Sequence, residues 1–268
     1  MLIIINKRIL IIFFIVVILL SFLIFKYAFI ERSVVTNTTH TGYIAIVIDD
    51  LGSEEDEVEQ LTKLEIPITV AIMPFLDYTE IDAKKAYDAG MEIILHLPME
   101  PERGDPTWLS SRAIRSGLSN EEVRELVQDA FEQLQYAKGM NNHMGSKIMK
   151  DEIILREILK VVKEKNLYFL NSRTDESTVA EELCKELDID YFYRNIFLDN
   201  KRSEYYISKA MEELSRIALD NGYAVGIGHV GGQGGKITID TIDKMSKKLK
   251  QQGIEFIYLS EIENILDQ

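Results

Sequence analysis

The sequence predicts an α/β protein built on a parallel β-sheet, open or closed into a barrel. Three observations predict it. The chain has 268 residues, 46% hydrophobic and 28% charged, which suffices for one domain with a sizeable core. From Tyr43 to Leu259, apolar runs alternate with charged, helix-spaced segments in seven or eight β-α units. Polar residues of metal-ligand type end four of those runs: Ile44-Ala-Ile-Val-Ile-Asp49-Asp50, Ile93-Ile-Leu-His96, Asn141-Asn-His143-Met-Gly145-Ser146 and Ala224-Val-Gly-Ile-Gly-His229. In parallel sheets the strand C-termini share one face, and sites are built there.

Each element has a local reason. Tyr43 to Ile48 is apolar throughout, as a strand covered on both faces requires. Glu54 to Leu64 reads as a charged helix, and Ile68 to Met73 as a second strand stopped by Pro74. Asp82 to Ala89 is helical with Gly90 as its C-cap, and Met91 to Leu95 is a third strand. Pro98 to Gly117 is a long irregular stretch, after which Ser119-Asn-Glu-Glu opens a capped helix reaching about Lys138. Gly139 to Gly145 passes from strand to loop and carries His143, and Asp151 to Lys165 is an amphipathic helix. Leu167 to Leu170 is a strand leading into Asn171-Ser-Arg173-Thr, Thr178 to Leu187 a helix, and Tyr191 to Leu198 one strand ending at Asp199. Tyr205 to Asn221 is a helix closed by Gly222, Tyr223 to Ile227 a strand ending at His229, Ile237 to Gln252 a helix and Ile254 to Leu259 the last strand.

The first thirty residues differ. Residues 9 to 25 carry no charge, and with Lys26 snorkelling the segment can cross a hydrocarbon core of roughly 30 Å. No polar face marks it as a soluble helix. The expected organisation is a membrane anchor at 1–32, a polar linker at 33–42 and a catalytic domain at 43–268. A short leading N-terminus favours a single-pass protein of the cell membrane with its domain on the extracytoplasmic side. A cleaved signal peptide, giving a secreted or periplasmic domain, is the alternative. The lone Cys184 excludes an internal disulfide and reads as an apolar helix position. A net charge of −14 excludes nucleic acid as partner and electrostatic docking on anionic lipid.

Imidazoles and carboxylates together suit zinc and its first-row neighbours. One Asp and two His leave open positions where water becomes a nucleophile near neutral pH. In the Asp49-Asp50 pair, one carboxylate can hold metal while the other accepts a proton, because successive strand residues point different ways.

Ile-Asp-Asp-Leu-Gly, His-Leu-Pro-Met-Glu-Pro, Asn-His-Met-Gly-Ser, Phe-Leu-Asn-Ser-Arg-Thr, Phe-Leu-Asp and Gly-His occur in that order. From about Tyr43 to the C-terminus the chain thereby resembles the divergent polysaccharide deacetylases, a branch of the NodB-like carbohydrate esterases. The resemblance implies a distorted (β/α) barrel of about seven parallel strands, a divalent metal, Zn2+ above others, and hydrolysis of amide- or ester-linked acetyl groups. The implied substrate is an acetylated polysaccharide of the cell envelope. An envelope protein partner stays open. Carried over by position, Asp49 matches the catalytic base, Asp50 and His96 match metal ligands, and His229 matches the acid that protonates the leaving group. Arg173 and Asp199 would orient the base or the acid. The main branch has a second His four residues after the first; here that position is Glu100. His143 is the expected replacement ligand, with Glu100 the alternative.

Other readings compete. The missing second His motivates a non-catalytic glycan-binding or regulatory module on the same fold. Asp49 with Asp199 could form a glycosidase pair. Trp108 and Tyr78, in expected rim loops, could stack on sugars or simply pack. Gly226-Ile-Gly228-His-Val-Gly231 has dinucleotide-loop spacing but falls in the penultimate unit, and Gly231 to Gly235 reads as a flexible rim loop or a backbone anion nest.

Overall fold

The computed structural model describes residues 17, 20–21, 41–54, 56–104, 109–231 and 234–266. The chain divides into two units, residues 1–39 and 40–268. Of the first unit only Val17, Leu20 and Ser21 are described, and they are helical. The expected anchor therefore lies almost wholly outside the described residues. Among the described residues no helix is long and apolar enough to cross a membrane.

The second unit is a nine-stranded sheet in which every pairing is parallel. Its strands are β1 (Gly42–Leu51), β2 (Thr69–Ile72), β3 (Glu92–Met99), β4 (Gly139–Met144), β5 (Tyr168–Asn171), β6 (Tyr191–Tyr193), β7 (Ile196–Phe197), β8 (Tyr223–His229) and β9 (Ile254–Ile257). The order is β6-β5-β4-β3-β2-β1-β8-β7, with β9 on β1. β8 pairs along Tyr43 to Asp49, so the other edge of β1 is shared: β9 takes its first half and β2 its second.

The strand count exceeds the expected seven for two reasons. The short β9 adds to the start of β1. The stretch Tyr191 to Leu198, expected as one strand, is two. Asn171 O accepts from Arg194 N at 3.0 Å and Val225 O from Asn195 N at 2.9 Å. The chain thus steps from the β5 edge to the β8 edge within two residues, and the sheet, with β6 and β7 at its unpaired ends, is a curled half-barrel rather than the expected closed one.

Side-chain parity assigns the interior. On β1, Ile44, Ile46 and Ile48 pack in the large core beneath the helices, while Ala45 and Val47 join Ala71, Ile94, Leu170, Val225 and Ile227 in a smaller core. A strand repeats every two residues. Asp49, His96, Ser172 and His229 therefore follow Val47, Ile94, Leu170 and Ile227 onto the inner face. Met140 of β4 belongs to the outer core, so Asn141 and His143 also face inward.

The surrounding helices end where the sequence signals. Ser119 caps Asn120–Gln133 in a complete capping box with Glu122. Asp151 Oδ1 caps Glu152–Glu164 by accepting from Ile153 N and Ile154 N. The expected helix from Glu54 is only Glu57–Leu61, and β3 runs on through Pro98 to Met99, into the stretch expected to be irregular.

Candidate metal centre

The mouth of the barrel holds a cavity of about 290 Å³ lined by Asp49, Asp50, His96, His143 and His229 among others. Three larger clefts share no residue with that cavity: two, of about 610 and 520 Å³, lie at the start of helix Lys236–Lys250, and one of about 450 Å³ is lined by Asn171 and Arg173. We take the smaller cavity as the site, because the chemistry converges there.

Asp50 is aimed by a backbone irregularity. Ile48 pairs with Val70 and Leu51 with Ile72, so three steps on β1 match two on β2. Plain alternation would send Asp50 to the opposite face from Asp49. The bulge, with Asp50 at φ +73, turns it toward the mouth instead. Asp tolerates this left-handed geometry better than most residues.

Three ligand atoms then meet. His96 Nε2 is 3.2 Å and His143 Nδ1 3.0 Å from Asp50 Oδ1, and the two nitrogens are 3.1 Å apart. Asp50, His96 and His143 are a group whose ligand atoms lie within 4.8 Å of one another. The donor set fits a divalent first-row ion: two imidazole nitrogens and one carboxylate oxygen on one side, with the cavity on the other. Burial opposes ionisation of Asp50, but hydrogen bonds from His143 and His96 outweigh it and hold the carboxyl far below its ordinary value.

Asp49 lies behind this group. Its Oδ2 is 3.7 Å from His96 Nε2, and its Oδ1 accepts from Asn141 Nδ2 at 2.9 Å. Burial raises its pKa against the pull of His96 and His229.

His229 faces Asp49 in register across β1 and β8. Its Nδ1 is 2.8 Å from Asp199 Oδ1, while Asp199 Oδ2 accepts from His229 N at 2.8 Å and Thr238 Oγ1 at 2.9 Å. Burial opposes the charged imidazole; the Asp199 hydrogen bond and the Asp49 charge overcome it, holding His229 at about 9. The glycines around it serve close packing. A Cβ on Gly234 would stand 2.2 Å from His229 O and 2.3 Å from Asp199 Oδ2.

Asp49, Asp50, His96, His143, Asp199 and His229 are thus brought together. Arg173 and Glu100 are not. Arg173 stacks on Tyr193 at 3.6 Å and lines a separate cavity with Asn171 and Asp175. Arg194 lies nearer: its Nε donates to Ser172 O at 2.7 Å and its guanidinium covers Phe197 at 3.6 Å, whose ring is 5.4 Å from His229. Glu100 is engaged by Lys147 Nζ and by Ser116 N and Oγ, each at 2.7 Å. Burial opposes but these donors prevail, holding Glu100 at about 2. Tyr78 precedes helix Thr79–Asp88 and donates its N–H to Gly52 O at 3.1 Å, away from the cavity. Trp108 lies outside the described residues. Cys184 is buried, which pushes its thiol up to about 12.

Asn141 is a site residue that the sequence motifs alone do not mark. A signal existed: it stands two residues before His143, on the same strand face. Arg194 carried none, because its place depends on how the barrel curls.

Comparison with known proteins decides the family. The family model described as divergent polysaccharide deacetylase matches residues 46–262. The chain belongs to that family. This divergent deacetylase-family member is 31% identical over 202 residues to the uncharacterized protein YibQ of Escherichia coli, covering 75% of this chain and 63% of that one. The match therefore spans less than two thirds of that relative's length. In fold it is similar to the uncharacterized protein ATU2773 of Agrobacterium tumefaciens, with TM-score 0.77, 20% identity and coverage of 83% and 89%. It is also similar to BA3943 of Bacillus anthracis, a CE4 family pseudoenzyme, with TM-score 0.52, 13% identity and coverage of 82% and 65%. At these identities the two structures speak to the fold alone.

Proposed function

We propose that this protein is a metal-dependent hydrolase that removes acetyl groups from a polysaccharide of the cell envelope. The observation that carries the reading is the convergence of Asp50, His96 and His143 beside a buried carboxylate and an Asp-held imidazole. A divalent cation at those three residues, zinc by preference, would supply Lewis acidity toward an acyl carbonyl and the water attacking it. Asp49, with Oδ2 on the ligand side, takes the proton of that water. The hydroxyl adds to the carbonyl carbon. His229, kept protonated through neutral pH by Asp199, gives its proton to the departing sugar nitrogen or oxygen as the C–N or C–O bond breaks. Acetate and a free amine or hydroxyl result. The same reading uses residues 9–25 as an anchor that keeps the domain at the envelope.

Zinc-loaded full-length protein is expected to release acetate from N- or O-acetylated oligosaccharides, and Asp49→Asn to keep zinc while losing release. Glycan binding without acetate release, across both substrate types, would sink the reading. It would favour the second one, a non-catalytic glycan-binding module. That alternative draws on the exchange of the usual second His for Glu100 and on the pseudoenzyme among the structural relatives.

A further inference from the structure

We propose that Asn141 is a positioning residue that fixes which atom His96 offers to the cation and which oxygen of Asp49 serves as base. The proposal rests on the reading of the mouth as a metal site. Asn141 is fully buried on β4, in register with His96 of β3. Its side chain crosses the barrel interior to Asp49 of β1, although β2 and β3 separate those strands in the sheet. Three contacts define it. Oδ1 is 2.7 Å from His96 Nδ1, and Nδ2 is 2.9 Å from Asp49 Oδ1 and 3.3 Å from Ser172 Oγ.

A carboxamide has one accepting end and one donating end. With oxygen toward His96, Nδ1 must carry a proton, and Nε2 is the nitrogen left to give up its own to a cation shared with Asp50 and His143. With nitrogen toward Asp49, Oδ1 is held as an acceptor, and Oδ2 is left facing the ligand group at 3.7 Å from His96 Nε2. The reverse orientation sets amide oxygen against Asp49 Oδ1, acceptor against acceptor. It also forces the His96 proton onto Nε2, where the three ligand atoms meet, and the cation loses a ligand. One side chain therefore commits both the metal ligand and the base. A histidine's outer hydrogen bond commonly sets its ligating nitrogen. Here the same group reaches on to a second functional carboxylate.

The neighbouring Asn142 has a different task. Its Oδ1 accepts from Ser172 N at 2.9 Å and its Nδ2 donates to Met144 O at 2.7 Å, tying β4 to the segment after β5. Its hydrogen bonds go to Ser172, Met144 and Thr174 and none to His96 or Asp49, so Asn142→Ala serves as a control for general loosening.

The test uses full-length protein with zinc as the probe. Asn141→Leu removes both ends and is expected to weaken zinc binding about 10–100-fold. Asn141→Asp keeps an acceptor for His96 Nδ1 and sets a second carboxyl against Asp49, so that the pair holds a proton and Asp49 is lost as a free base. It is expected to bind zinc within about 3-fold of wild type, while acetate release falls by about 10²-fold or more. Zinc affinity unchanged in Asn141→Leu, or lost equally in both variants, overturns the proposal. Nitrogen-15 NMR of zinc-loaded wild type gives a check without mutation: the His96 proton should sit on Nδ1, and a proton on Nε2 overturns the proposal. Failure of wild type to bind zinc overturns the metal reading itself, a result distinguishable from failure of Asn141 alone. A protein that binds zinc without releasing acetate still tests Asn141 through affinity.

Discussion

The two ends of the barrel bury carboxylates on the same strand system and treat them in opposite ways. At the floor, Glu92 opens β3. Its Oε1 accepts from Thr69 Oγ1 and the Tyr168 hydroxyl at 2.9 Å each and from Ser260 N at 3.2 Å, while Oε2 accepts from Ser260 Oγ. Every contact there joins a donor to an acceptor. At the mouth, His96 stands four residues further along the same face of β3, about 13 Å away at the rise of a strand. There Asp50 Oδ1, His96 Nε2 and His143 Nδ1 converge at 3.0–3.2 Å, and among the described residues the only donors to Asp50 are imidazole N–H groups whose protons a metal would displace. Hydroxyls and amides close the floor. The mouth is complete only with a cation, proton or metal, among its acceptors. The contrast separates burial that stabilises from burial that prepares a reaction.

The sharpest way to break the comparison is to remove one carboxylate from each end. Asp50→Ala is expected to abolish zinc binding and hydrolysis while costing the zinc-free fold less than Glu92→Ala does. Asp49→Asn should keep the zinc and lower turnover by about 10²–10⁴-fold, the usual reach of general base catalysis. Glu92→Ala should do the reverse. Stranding the Thr69, Tyr168 and Ser260 donors costs about 3 kcal/mol, or roughly 6–12 °C in Tm, with one zinc per chain retained. Elemental analysis and calorimetry on the three variants read both quantities. If Glu92→Ala loses its zinc, or Asp50→Ala melts as early as Glu92→Ala, the two ends are not independent.

Much of the mouth is legible in the sequence because strand parity is rigid. Once Ala45 and Val47 alternate with isoleucines, Asp49 must follow them inward, and His229 follows Ile227 for the same reason. Asp50 breaks parity, and the bulge that re-aims it leaves no mark in an apolar run beyond the Asp-Asp pair. Arg173 illustrates the opposite error. It sits in a motif of the family, but residues 172 and 174 line the mouth, while 171, 173 and 175 line the neighbouring cavity. The split of Tyr191 to Leu198 into two strands follows from hydrogen bonds made by Arg194 and Asn195 to opposite edges of the sheet, a long-range fact that local pattern cannot carry. Glu92 carries no sequence signal for a related reason: its partners come from β2, β5 and the segment after β9.

A pH series sharpens the contrast more gently. His229 is opposed by burial yet lifted to about 9 by Asp199 and Asp49. A pKa raised above the ordinary 6.5 means that the charged imidazole stabilises the fold fully below pH 6.5, and that this contribution is lost as pH rises through about 9. The acid form needed for leaving-group protonation is lost over the same interval. Acetate release should therefore show an alkaline limb between the ordinary histidine value and about 9, because the charge of a bound cation opposes the lift. Asp199→Asn should bring that limb down toward the ordinary histidine value, with zinc content unchanged. An alkaline limb that stays in place in Asp199→Asn would remove Asp199 from its orienting role.

The smallest expected effect concerns Glu100, which occupies the position of the usual second ligand but faces away from the mouth. Its oxygens are taken by Lys147 and Ser116, and the side chains of Lys147 and Glu100 are 43% and 24% exposed. A partly exposed pair of this kind contributes at most about 1 kcal/mol. Glu100→Gln keeps one accepting oxygen for Ser116 and loses the charge toward Lys147. It should shift Tm by less than about 4 °C and leave zinc stoichiometry at one per chain. His143→Ala, in contrast, should lose the metal. If Glu100→Gln loses zinc and His143→Ala keeps it, the third ligand comes from just after β3 after all, and His143 is only a hydrogen-bonded neighbour of the metal centre.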